Sequence, residues 1–134
     1  MTINANDFIP VDRRDSSNAG GSLVTANLYG TTANTSNVTQ LTSRTTGVTI
    51  NAAVGTITLV SAANSATDST FTVTNSYVAA NDVVLVTQKS GTDPRRIAVT
   101  ATADGSFNIT SASISGTTTE SPVYNFVVIK GASV

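Results

Sequence analysis

An all-β fold is predicted for this chain: an antiparallel β-sandwich or jelly-roll-like domain of about seven strands, preceded by an extended N-terminal arm. Three observations lead there. Period-two alternation of apolar and polar residues recurs from Thr45 to the C-terminus. The alternating stretches are spaced about 10 to 15 residues apart, as in sandwiches and jelly rolls. No window carries a convincing 3.6-residue period.

The strands follow in order. Val48-Thr49-Ile50-Asn51 opens the series, and Thr56-Ile57-Thr58-Leu59-Val60 follows a turn at Val54-Gly55. Ser69-Thr70-Phe71-Thr72-Val73-Thr74 alternates cleanly, with Phe71 and Val73 inward and the threonines outward. Asp82-Val83-Val84-Leu85-Val86-Thr87 is a more continuous apolar run, which suits a strand covered on both faces. Ile97 to Thr102 alternates again and is joined through Asp104-Gly105 to Phe107-Asn108-Ile109-Thr110. That dipeptide between alternating strands predicts a type I′ hairpin, which needs positive φ at both central residues. Tyr124-Asn125-Phe126-Val127-Val128-Ile129 closes the series as a central strand. Ala79-Ala80 leaves room for one helical turn before Asn81-Asp82.

Residues 1–44 read differently. Asn, Asp, Gly, Ser and Thr dominate, with apolar anchors only at Phe8-Ile9-Pro10-Val11, Leu23-Val24 and Leu28-Tyr29. A pure linker has no use for such anchors, so the segment is read as an arm that docks elsewhere, against the plain alternative of a disordered tail. The division is thus an arm over 1–44 and a sandwich over 45–134. The candidate contact residues are Phe8, Ile9, Arg13, Arg14, Leu28 and Tyr29.

Composition narrows the chemistry. The 134 residues include no His, no Cys and no Trp, and only 11% are charged. The commonest general base, the best nucleophile and the usual zinc ligands are missing. The carboxylates Asp7, Asp12, Asp15, Asp68, Asp82, Asp93, Asp104 and Glu120 are scattered singly, mostly at predicted turns. No catalytic residue, cofactor or metal ligand is assigned, and no enzymatic activity is expected. Ser and Thr make up roughly 30% of the chain, so neutral hydroxyls must solvate the surface. A net charge of −1 from 7 basic and 8 acidic residues gives no electrostatic footprint for nucleic acid. Arg95-Arg96 reads as an ordinary solvated loop after Asp93-Pro94. Tyr29 and Tyr77 are the only aromatics placed to serve as a sugar platform. The longest apolar run, Phe126 to Ile129, is too short to cross a bilayer as a helix. Met1 to Asp7 carries neither a basic nor an apolar leader region, so no signal peptide is expected.

The stretch Thr42-Ser43-Arg44-Thr45-Thr46-Gly47-Val48-Thr49-Ile50-Asn51, continuing through Gly55 to Ala62, resembles a recurrent module of tailed-bacteriophage virion proteins. So do Phe71 to Ser76, Asp82 to Val86, Lys89-Ser90-Gly91-Thr92 and the closing Tyr124 to Lys130. The likeness spans about residues 40 to 130 and transfers no functional residue. It implies a non-enzymatic virion component: a capsid decoration or cement protein, or a fibre or tail appendage. Implied with it are the major capsid protein or another virion protein as partner, and a homo-oligomer, with a trimer guessed from virion symmetry. The expected location is the virion, after synthesis in the host cytoplasm, with no nucleic-acid or membrane partner. The rival reading, a fibre module for a host receptor or glycan, places contacts in loops Ser76–Asn81 and Ser115–Ser121.

Overall fold

The computed structural model describes residues 35–132, and they form an all-β fold of ten strands with no helix among them. The strands are β1 (Thr35–Thr39), β2 (Val48–Thr49), β3 (Val54–Thr58), β4 (Ala62–Ala63), β5 (Ser69–Thr74), β6 (Val83–Ser90), β7 (Arg95–Ala103), β8 (Ser106–Ser113), β9 (Thr119–Glu120) and β10 (Val123–Ile129). Sheet one has the order β1-β3-β10-β6, sheet two the order β2-β5-β8-β7, and β4 pairs with β9 in a small ribbon.

All seven expected strands are present. The three additional ones are the two halves of the ribbon, whose two-residue strands are too short to show a period, and β1. The sheets are mixed rather than wholly antiparallel. β1 pairs parallel to β3 over five residues, and β2 pairs parallel to β5 over two. The body therefore begins no later than Thr35, not at Thr45. Val38 sits beside Ile57 and packs against the core, Gln40 is buried, and Arg44 is tied to the body by its side chain. A Thr-, Ser- and Asn-rich edge strand with one apolar residue gives too weak an alternation to be seen in sequence.

The two sheets face each other across one core. Alternation drives this: Phe71 and Val73 of β5, Phe107 and Ile109 of β8, and Tyr124, Phe126 and Val128 of β10 all point inward and are buried. Each such side chain contributes about 1.5–3 kcal/mol on leaving water. Phe107 and Phe126 meet across the sheets with ring centroids 5.5 Å apart and planes inclined at 54°. β10 is central in sheet one, as its composition predicted.

Two local readings change. β6 is an edge strand with one face open: Val83 and Leu85 are 52% and 51% exposed, while Val84 is buried. A continuous apolar run here means one core face and one apolar outer face, not coverage on both. The Asp104-Gly105 hairpin is not type I′, because Gly105 alone has positive φ (79°) and no non-glycine residue does among those described. Asp104 instead accepts a hydrogen bond from the Ala80 amide at 2.9 Å, pinning the neighbouring loop. That loop turns at Ala79-Ala80 without forming a helix.

Candidate docking surfaces

The chemically richest part of the body is a polar cluster at the end where β6 turns into β7 and the β4–β9 ribbon lies. Asn64, one residue past β4, is its hub. Its Nδ2 donates to Asp93 Oδ2 at 2.9 Å and to Glu120 Oε1 at 2.6 Å, and its Oδ1 accepts from Arg95 at 2.7 Å. Asp93 Oδ2 also accepts from the Thr118 amide at 2.9 Å, and Oδ1 from the Thr118 hydroxyl at 3.0 Å. Glu120 takes the amides of Thr92 and Asp93. Arg95 Nε donates to the Tyr124 hydroxyl at 2.6 Å, which donates to Ser111 Oγ at 2.8 Å inside the core. Arg44 reaches in from the β1–β2 connection and donates to the carbonyls of Val60, Ala62 and Glu120.

The electrostatics follow from these bonds. The Asn64 amide and the Thr118 backbone N–H hold the Asp93 carboxyl below the usual carboxylate range. The Thr92 amide, helped by Asn64 and opposed by burial, does the same for Glu120. Burial and the neighbouring Arg95 charge lower the Arg44 guanidinium from its ordinary value. Both carboxylates are thus ionised and occupied by fixed donors, which is the state of a structural clasp and a poor one for a general base. Gly116 completes the clasp. Its φ is 93°, and a side chain there would overlap the Asp93 carboxylate.

The opposite end is closed by a second clasp. Asp82, buried before β6, accepts from the Ala79 amide at 2.8 Å, the Gly131 amide at 2.9 Å and Lys130 Nζ. Burial pushes its carboxyl up, but the Lys130 ammonium and the two backbone amides outweigh that and leave it lowered. Asn75, fully buried, bonds the Ala52 carbonyl through Nδ2 and the Tyr77 amide through Oδ1. A small hollow of about 240 Å³ lies here, lined by Ala53, Tyr77, Val128 and Lys130.

The two outer faces differ in kind. On sheet two, Thr70, Thr100 and Thr110 join their hydroxyls at 2.7 and 3.0 Å, and Thr72 donates to Asn108 at 2.8 Å. This face is hydroxyl-clad and satisfies itself. On sheet one, a shallow groove of about 440 Å³ is lined by residues of β1, β3, β10 and β6 and carries apolar side chains at one end.

Comparison with family models, with curated proteins and with solved structures found no match.

The expected contact residues Phe8, Ile9, Arg13, Arg14, Leu28 and Tyr29 lie outside the described residues. The Arg95-Arg96 pair is split by the strand it starts. Arg96 points out and pairs with Asp68, both more than half exposed, while Arg95 turns in to Tyr124 and Asn64. Only Arg96 is the solvated residue expected of both; alternation in a strand sends neighbours to opposite faces. The loops Ser76–Asn81 and Ser115–Ser121 do not converge. The first is tied to Gly105 at the start of β8 and the second approaches Ser113 at its end. Eight residues of strand hold them about 25 Å apart. Sequence reasoning missed Asn64, Arg44 and Glu120 as a set, because 76 residues separate Arg44 from Glu120 and nothing local links them.

Proposed function

We propose that this chain is a non-enzymatic structural protein of a tailed-phage virion, a decoration or cement protein that grips the capsid shell through its N-terminal segment. The observation that carries the reading is the way β1 enters sheet one. Five consecutive residues, Thr35 to Thr39, pair in register and parallel with Val54 to Thr58. A pull on the segment before Thr35 runs along the strand and loads these hydrogen bonds together in shear. Gln40 then locks the exit of β1 by donating to the Thr46 carbonyl at 2.7 Å, and its amide bonds the Thr58 carbonyl at 2.9 Å. Such a strand suits a load-bearing tether. The clasps at both ends of the sandwich suit a body that must stay folded outside a cell. Many copies on a symmetric particle multiply a modest single contact, and self-association as a homo-oligomer, a trimer in the simplest case, belongs to the same proposal.

The test is binding of purified full-length chain to particles assembled without it. Particles retain the parent protein, and replacing Phe8 and Ile9 together by Ser lowers retention by roughly tenfold or more. Equal retention of parent and variant, or none of the parent, overturns the reading. The alternative, a fibre module for a host receptor or glycan, draws on the small hollow lined by Tyr77 and Lys130, with Tyr77 in the Ser76–Asn81 loop. Saturable binding to one sugar on a glycan array, lost in Tyr77→Ala, selects that alternative.

A further inference from the structure

The outer face of sheet one is divided along its strands. Val83 stands opposite Ile129, Leu85 opposite Val127, and Val127 opposite Val54, so five apolar side chains fill adjacent rows at one end. At the other end Thr87, Asn125 and Thr56 form a polar row. One exposed Val or Leu on a surface is ordinary. Here Val83 and Leu85, each about half exposed, continue into the partly exposed Val54, Val127 and Ile129, and such a contiguous patch beside amides and hydroxyls marks a contact. Ser36 of β1 lines the same groove.

The chain itself is delivered to that spot. β1 begins at Thr35, whose partner is Val54, and runs parallel to β3. The segment ahead of it therefore leaves the sheet at the apolar end of the face. Thirty-four residues precede Thr35. The first large apolar residues met going backwards are Tyr29 and Leu28, then Val24 and Leu23, beyond the connector Gly30-Thr31-Thr32-Ala33-Asn34. Five extended residues span about 17 Å. The three strand spacings from β1 across to β6 total about 14 Å. The connector thus reaches every strand of the face, and its shortness gives this segment a far higher local concentration there than a second copy has.

We propose that Leu23–Tyr29 of the same chain folds back over the outer face of sheet one and seats Leu28 and Tyr29 on Val54, Leu85 and Val127. The N-terminal segment then has two parts: a near part that completes the body, and a far part, from Phe8 to Arg14, that extends toward a partner. This division stands whether that partner is a capsid or not.

The chain contains no cysteine, so paired substitutions report proximity without background. Full-length L28C/L85C, oxidised mildly at low concentration, gives an intramolecular disulfide in most molecules. The control L28C/T72C, with its second thiol on the hydroxyl face of sheet two, gives little. An intermolecular disulfide as the main L28C/L85C product means a second copy fills the groove and overturns the proposal, as does equal cross-linking in both pairs or none in either. Limited chymotrypsin digestion supplies a second reading. Cleavage at Tyr29 is slow relative to cleavage at Phe8, and the outward pair Leu85→Thr with Val127→Thr speeds the Tyr29 cut by roughly tenfold while leaving the Phe8 cut unchanged. Equal cleavage rates at the two sites in the parent protein overturn the proposal independently.

Discussion

Replacing Tyr124 by Phe removes one oxygen from the middle of the sandwich and keeps the ring. Tyr124 is fully buried, and its hydroxyl links the core to the polar cluster by bonding both Arg95 and Ser111. Ser111 is 2% exposed and loses its side-chain partner, so its hydroxyl is stranded in apolar surroundings at a cost of about 1–2 kcal/mol. Arg95 loses an acceptor, but it is only partly buried and keeps Asn64, which limits its share to about 1 kcal/mol. The sum is about 2–3 kcal/mol. For a body of this size a melting temperature moves about 4–8 °C per kcal/mol, so the expected fall is roughly 10–20 °C. Far-UV circular dichroism during thermal and urea unfolding is the assay, since the chain has no Trp. Ser111→Ala alone costs about 1 kcal/mol, because Tyr124 still meets Arg95. The double variant costs less than the two singles added, since the hydroxyl that Y124F strands is gone. A Y124F protein within ~0.5 kcal/mol of the parent, or strict additivity in the cycle, refutes the claim that this chain of bonds joins the two sheets.

Acid stability follows from the carboxylates. Asp82, Asp93 and Glu120 all have lowered pKa values in the fold, so each binds its proton less readily folded than unfolded. Their stabilisation is complete above the ordinary carboxylate range near ~4 and fades as pH falls from there through the folded values. The urea midpoint is expected to hold from neutrality to mild acid and to drop below about pH 4; a midpoint that rises on acidification contradicts the clasps. Asp82→Asn weakens the bonds from Ala79, Lys130 and Gly131 and costs about 1–2 kcal/mol, with hydrogen exchange at the end of β10 rising first. Unchanged exchange there sinks that clasp. Gly116→Ala meets both a φ of 93° and the Asp93 carboxylate, and lowers stability by about 1–3 kcal/mol at constant denaturant slope; a neutral result shows that the Gly116 loop yields freely.

Much of the fold was legible in the residues themselves. Strict alternation at Phe71-Thr72-Val73-Thr74 or Phe107-Asn108-Ile109-Thr110 needs no tertiary knowledge, because the pleat alone sends successive side chains to opposite faces. The closing stretch Tyr124 to Ile129 read as a central strand, and β10 is central, with Tyr124, Phe126 and Val128 buried. What alternation cannot state is which strand lies beside which. The parallel pairing of β1 with β3, the edge position of β6, and the gathering of Arg44, Asn64, Asp93, Arg95 and Glu120 are all contacts between distant parts of the chain. Each of those polar residues looks like turn or loop material by itself. Only closure of the sandwich brings their donors and acceptors within 3 Å and lets each satisfy the next. Residue type and period determined the strands and their inward faces, since these depend on neighbours two positions away. The order of the sheets, the two clasps and the apolar outer face were decided by packing, which pairs residues that the sequence keeps tens of positions apart.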